Sequence, residues 1–433
     1  MSIDKIKEKL NEVVDQAQVR LDLETAANPA LQRAIHIVES FLRRTGRVCY
    51  GGQAINAQLP QKDQFYNPET SLPDYDFFSP EANADAEDLI GDFKAAGYTE
   101  ISKRIGIHEG TMKLYVNFTA IADITQMVPD FYETIARKSV SVNGIHYTDP
   151  VFLRMLMYLE LSRPRGQVER WGKVYERLML LDRAHPLRRC RDNQVASVRR
   201  SHAAGRVRPD IVRFMIAKRR VFMGADIEAL YRPSGVRSAA SRVKFLLHGS
   251  APVVFLSPDA EMDAGQLATM AHARKESIKG FQNMLPAMTA LYVGDDLVCL
   301  IVQEEACHSI VSFPLTKQRY LRAASLETLL TFLIGLYYRN DVALFSSQES
   351  LLCWFKAYID LSNRYKARPT KLIPAFSIEC SGYQTTFASL LRAKGARIEA
   401  ERQKISSGRR YNKTQGRPRF VDHGSRKTRR RYL

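Results

Sequence analysis

Cysteine is scarce: the chain of 433 residues has six, Cys49, Cys190, Cys299, Cys307, Cys353 and Cys380, with no paired spacing. Scattered thiols in apolar surroundings predict reduced core residues in a cytosol-like compartment, not a disulfide framework or a zinc module. Cys307-His308 beside Cys299 is too sparse for a metal site. Long apolar runs are missing as well. The stretch 326–338 is interrupted by Glu327 and Gly335 and falls short of the ~20 residues of a membrane span, so no membrane partner is expected. The N-terminus is charged from Asp4 onward and has no signal-peptide core. Acidic charge is in deficit too, with 46 Asp+Glu against 64 Lys+Arg and a formal net charge of +18.

What is present is a core: 45% of residues are hydrophobic and 9% aromatic, which excludes a disordered chain. The excess charge is localised. Residues 183–220 hold twelve Arg/Lys against Asp192 and Asp210, a net of +10. Residues 402–433 hold twelve against Asp422, a net of +11. The rest is close to neutral, so the chain reads as a neutral globule with two basic attachments and a polyanion partner.

Residues 3–45 have apolar positions at helical steps, broken by Asn28-Pro29. A strand at 47–50 ends in Gly51-Gly52, a polar loop covers 61–73, and strands are predicted at 72–78, 111–117 and 118–125. A helix is expected across 81–96, and helical structure over 149–182, opened by Asp149-Pro150. A second α+β block begins near 226, with a strand at 253–256, a hairpin at 289–314 and helices at 325–338 and 350–365. The domain boundaries expected are 1–182 for a catalytic domain with its N-terminal helices, 183–225 for an Arg-rich connection, 226–401 for a second domain and 402–433 for a basic, disordered tail. No short-period repeat is visible.

Chemistry concentrates in the run Leu72-Pro73-Asp74-Tyr75-Asp76-Phe77-Phe78. Side chains alternate along a strand, so Asp74 and Asp76 share one face while Tyr75 and Phe77 turn to the core. Two carboxylates on one face repel unless a hard cation such as Mg²⁺ or Mn²⁺ lies between them. A third acid, Asp123, sits in the apolar strand Thr119-Ala120-Ile121-Ala122-Asp123-Ile124-Thr125, where burial is costly unless compensated. If the strands are neighbours, three carboxylates converge as a two-metal phosphoryl-transfer site requires. Gly51 and Gly52 would let backbone approach a triphosphate. Lys113, Arg154 and Lys173 are candidates for neutralising phosphate, with helix-face or strand salt bridges as the alternative. His108 reads as a surface residue and Trp171 as core.

The ordered set of strand, Gly-Gly, D-x-D strand and third-Asp strand is the layout of polymerase-β-like nucleotidyltransferases. Residues 45–182 resemble in particular the poly(A) polymerase catalytic subunits of large DNA viruses. The likeness is carried by Tyr50-Gly51-Gly52-Gln53-Ala54-Ile55-Asn56, by Asp63-Gln64-Phe65-Tyr66 leading to Asp74-Tyr75-Asp76, by Val116-Asn117-Phe118 through Asp123, and by Phe152-Leu153-Arg154-Met155 with Arg170-Trp171 and Lys173.

The resemblance implies an α+β fold: a polymerase-β-like nucleotidyltransferase domain, then a degenerate copy without acids. Asp295-Asp296 are adjacent and Asp259 and Asp263 are out of strand spacing, which agrees. It further implies an enzyme in which Asp74, Asp76 and Asp123 hold two Mg²⁺ or Mn²⁺ ions, Gly51 and Gly52 face ATP as substrate, and the 3′ end of mRNA accepts AMP. The 183–220 window would then bind RNA backbone, and the tail would bind RNA, act as a targeting signal or solubilise the end. A homodimer is expected from the giant-virus relatives, with a viral processivity or capping partner as the poxvirus pattern. The expected location is host cytoplasm, viral factory or virion, with nuclear entry through the basic tail also open. A uridylyl- or tRNA-directed nucleotidyltransferase and a silent RNA-binding subunit are the alternatives.

Overall fold

The computed structural model describes residues 3–67, 69–187, 199–224, 227–232, 238–281, 284–339, 344 and 348–414. The first half runs α1 (Ile3–Ala26), α2 (Pro29–Thr45), β1 (Val48–Tyr50), α3 (Gly51–Ala57), β2 (Tyr75–Ser79), α4 (Ala82–Ala95), β3 (Ile101–Ile105), β4 (Thr111–Val116), β5 (Thr119–Gln126), α5 (Pro129–Lys138), β6 (Val140–Val142), β7 (Ile145–Tyr147), α6 (Pro150–Leu161) and α7 (Trp171–Ala184). The break at Asn28-Pro29 is a helix start: the Asn28 side chain accepts from the amides of Ala30 and Leu31, and Pro29 takes the first turn. Leu31, Ala34, Ile35, Val38, Phe41 and Leu42 then form one buried face of α2. Asp149 caps α6 in the same way.

The second half runs α8 (His202–Ala217), β8 (Val221–Phe222), α9 (Glu228–Tyr231), α10 (Ala239–Leu247), β9 (Val253–Ser257), α11 (Ala260–Ala271), β10 (Arg274–Ile278), β11 (Met288–Val293), β12 (Asp296–Gln303), β13 (His308–Pro314), β14 (Tyr320–Ala324), α12 (Leu326–Tyr337), α13 (Gln348–Ala367), β15 (Cys380–Ser381) and α14 (Phe387–Thr414). It begins earlier than the expected 226. β8 pairs with β9 and β14, so α8 and β8 are part of the second sheet and not a connection. The segment read as a tail is helical as far as Thr414; its remainder, like Cys190 and Arg188 to Arg191 of the basic window, lies outside the described residues.

The two sheets have one topology. The first is ordered β3-β4-β5-β2-β1-β7-β6 and the second β10-β11-β12-β9-β8-β14-β13-β15. Side-chain bonds repeat with the strands. Arg47 forks onto Asp85 at 2.6 and 2.9 Å, and Arg220 onto Asp263 at 2.6 and 2.9 Å. Ser79-Pro80-Glu81-Ala82 and Ser257-Pro258-Asp259-Ala260 make the same turn, each Ser hydroxyl accepting the amide two residues on. Gln126 accepts from Ala82 N and donates to Pro80 O; Gln303 does so with Ala260 and Pro258. The expected second, degenerate copy of the first domain is thus present as a long-period repeat.

The halves meet through their equivalent helices α6 and α12. Phe152 packs edge-on to Tyr338 at 5.1 Å, and the Tyr338 hydroxyl donates to the Asp149 carboxylate. Phe131 and Phe281 stack at 4.4 Å across the same boundary. The expectation of reduced cysteines fails: Cys353 is disulfide-bonded, and Cys307 and Cys380 form a disulfide with each other, with Cα atoms 5.3 Å apart. They are 73 residues apart in sequence and meet because β13 pairs with β15, which spacing could not reveal. Cys49 and Cys299 are free and buried. No helix among the described residues is long and apolar enough to cross a membrane.

Candidate active site

The parallel pairing of β2 with β5 sets Asp76 directly opposite Asp123, and Asp74 precedes β2 on the same approach. The three acids are brought together electrostatically. Burial, then the charges of Asp74 and Asp123, push the Asp76 carboxyl up to about 8, against the opposing pull of Lys113 and Arg170. Burial and the Asp123 charge raise Asp74 as well. In the second half the same register pairs Val254 with Leu300. Two aliphatic side chains stand where the first half has Asp76 and Asp123, so the copy has no acid pair at this place.

Lys113 of β4 is the cross-strand partner of Asp123, and its ammonium bonds the Oδ2 atom. It therefore acts as counter-ion to the acids and not as a free phosphate ligand. The other oxygen, Asp123 Oδ1, is buried with no hydrogen-bond partner. Among the described residues no group of three His, Cys, Asp or Glu side chains is already drawn into a metal cluster. The donor set nonetheless fits a hard divalent cation: it is all carboxylate oxygen, one oxygen is orphaned, and mutual repulsion holds a proton that a cation would displace.

Gly51 opens α3 at φ +76, and a Cβ there would stand 2.5 Å from Asp76 Oδ2. Both the left-handed backbone and the close approach demand glycine. A Cβ on Gly52 would meet the Tyr66 hydroxyl at 2.6 Å. Asn56 explains the loop above: its Oδ1 accepts the amides of Phe65 and Tyr66, pinning them over α3.

Lys173 is exposed on α7, and burial together with the charges of Arg177 and Arg170 lowers its pKa. Of these two neighbours, Arg170 enters the sequence reading only as part of a motif, and Arg177 is not named there. Arg170 acts on Asp76, while Arg177 lies over the Phe65 ring at 4.4 Å and donates to Tyr66 Oη at 2.9 Å. Positions 170, 173 and 177 are three and four apart, a spacing that would have grouped them on one helix face. Arg154 is a correction. It is 1% exposed, its Nε donates to Asp182 at 2.5 Å and its Nη2 to His185 O, so it braces α6 against α7 and cannot reach a phosphate. Trp171 is half-buried against Phe376, with its indole N–H on Glu160 O. His108, exposed as expected, lines a 670 Å³ cleft with Arg163, Arg165, Gln167, Arg170 and Thr385. Arg170 and Lys113 couple that cleft to the acids, through Asp76 and His108 respectively.

Comparison with known proteins addresses this half directly. Residues 36–167 match the family model for the poly(A) polymerase catalytic subunit. The resemblance drawn from the motifs is borne out. A protein of Acanthamoeba polyphaga mimivirus described as a poly(A) polymerase catalytic subunit is 31% identical over 188 residues, 42% of this chain. One of African swine fever virus, a Malawi tick isolate, carries the same description and is 27% identical over 163 residues, 36% of this chain. The matched segment spans 32% and 34% of those two relatives, about a third of their length. The crystal structure of the Megavirus polyadenylate synthase superposes with a TM-score of 0.73 at 17% identity, covering 93% of this chain and 83% of that one. The viral polyadenylate synthase fold thus extends through both halves.

Proposed function

We propose that the protein is a template-independent polynucleotide adenylyltransferase that adds AMP from ATP to the 3′ end of viral mRNA. The observation that carries this reading is the registration of Asp76 with Asp123 beside Gly51, in the half that matches the poly(A) polymerase model. In the reaction the RNA 3′-hydroxyl loses its proton to solvent, its oxygen bonds to the α-phosphorus of ATP, the bond to the bridging oxygen breaks, and pyrophosphate leaves. Asp74, Asp76 and Asp123 would hold two Mg²⁺ or Mn²⁺ ions, which supply charge stabilisation to the attacking and leaving oxygens. Gly51 and Gly52 leave the space through which backbone meets the triphosphate. Arg170, Lys173 and Arg177 present the positive face that balances it, and positioning with charge neutralisation is all that such a transfer asks of a protein.

We also infer a homodimer, supported by Ile3, Ile6, Leu10 and Val13, which alternate at three and four residues along α1 and are 48–71% exposed. Light scattering of wild type against an Ile6→Lys/Leu10→Lys variant tests it, and a monomeric wild type would contradict it. The adenylyltransferase reading is tested by incubating an oligo(A) primer with each labelled nucleotide in turn. ATP-selective extension is expected. Preferential use of UTP would point to the uridylyl-directed alternative, and steeply salt-dependent RNA binding without extension to a silent subunit.

A further inference from the structure

A groove of 1310 Å³ opens in the second half, between α8 and α10 on one side and the β13–β14 hairpin on the other. Arg213 and Arg219 stand on the first wall, Arg319, Tyr320 and Arg322 on the second, with an apolar floor that includes Ile216 and Leu246. Four arginines face one carboxylate, Glu379, which accepts from Ser312 Oγ at 3.1 Å. Of these four arginines only Arg213 has an ion pair among the described residues, to Asp210 at 3.6 Å, and both its members are exposed. Tyr320 is 54% exposed.

Arg219 bears a second sign of use. It adopts φ +56, in the turn between α8 and β8. The equivalent turn of the first half, immediately before the equivalent Arg47, has Gly46 at φ +65. A side chain in this conformation is strained where glycine is not. The second half therefore bears a backbone penalty that the first avoids, and places a guanidinium in the groove. Arg322 Nη1 donates to the Arg219 carbonyl at 3.3 Å, joining the two walls. By contrast Arg208, buried on the carbonyls of Leu246 and Ala251, and Arg220, on Asp263, are structural members of the same basic window.

We propose that this groove binds single-stranded RNA upstream of the 3′ end, with phosphates on the arginines and a base on Tyr320. It rests on the RNA-extending reading above. A basic groove with an exposed aromatic ring and an apolar floor suits unpaired bases. It is also a short chain distance from the cleft that Arg170 lines. Glu379 lines the groove and Gln384 lines that cleft; they are five positions apart, at most about 18 Å of extended chain.

The test is anisotropy of labelled oligo(A) of about 30 and about six nucleotides on the full-length protein over a salt series. The Arg319→Gln/Arg322→Gln variant should bind the long oligomer about tenfold more weakly, with a salt slope less negative by about 1.4, and the short one unchanged. Arg219→Gly, which relieves the backbone, should keep or raise the melting temperature while weakening the long oligomer several-fold. Unchanged affinity and slope for the long oligomer, equal losses for the short one, or equal losses for an RNA duplex overturn the inference while leaving primer extension intact. A wild-type protein that binds neither oligomer overturns it together with the RNA-extending reading.

Discussion

Lys113 reaches from β4 to Asp123 on β5 and bonds only one of its two carboxylate oxygens. The ammonium is the positive charge that lets three acids coexist in metal-free protein. Replacing it, as in Lys113→Met, removes a counter-charge from Asp74 and Asp76 as well as from Asp123. The melting temperature of metal-free protein should fall by a few degrees, and Mn²⁺ should narrow the gap. A calorimetric scan with and without Mn²⁺ checks this; a gap indifferent to the ion would contradict it.

The Asp76 carboxyl, raised to about 8, holds a proton at neutral pH that a divalent ion must displace. Affinity for Mn²⁺ should therefore rise with pH, by up to about tenfold per unit, and level off above about 8. Titration calorimetry at several pH values measures it. In Asp76→Asn the dependence should flatten and most of the affinity should be lost.

Gly51 offers a backbone test. Gly51→Ala forces a side chain into φ +76 and against Asp76, at a cost of about 1–2 kcal/mol from the backbone alone. Loss of primer extension should exceed any loss of stability. Gly172→Ala, where a Cβ meets nothing within 4 Å, should change neither by much. Equal effects from the two variants would contradict the close approach.

His308 predicts an acid limb. Burial, with the Arg163 charge adding, holds its imidazole neutral and brings its pKa down to about 3, and Nδ1 has no partner. The unfolded chain takes up a proton near pH 6.5, so stability is lost as pH falls below that value and is unaffected above it. The slope should approach about 1.4 kcal/mol per pH unit. Denaturant titrations of wild type and His308→Gln between pH 4 and 7 should show it flattened in the variant.

The acids and glycines were legible because their patterns are local: alternation leading into β2, and a charge in an otherwise apolar β5. Helix starts at Asn28-Pro29 and Asp149-Pro150 were legible for the same reason. Arg154 was not. Its burial depends on Asp182 and on the His185 carbonyl, both contributed by the next helical segment and its end. The Cys307–Cys380 bond and the Arg220–Asp263 fork depend on strand pairing, which no local window contains. The second half was placed too late because its first strand is two residues long, Val221–Phe222, and sits in an arginine-rich run that reads as a surface.

We propose that nucleotidyl transfer belongs to the first half's acids alone. Primer extension by wild type and by Asp74→Asn/Asp76→Asn, both shown folded by calorimetry, tests it most directly. Wild type should extend oligo(A) with ATP, and the double variant should lose at least about a thousandfold in rate. Extension by the variant at the wild-type rate would contradict the account.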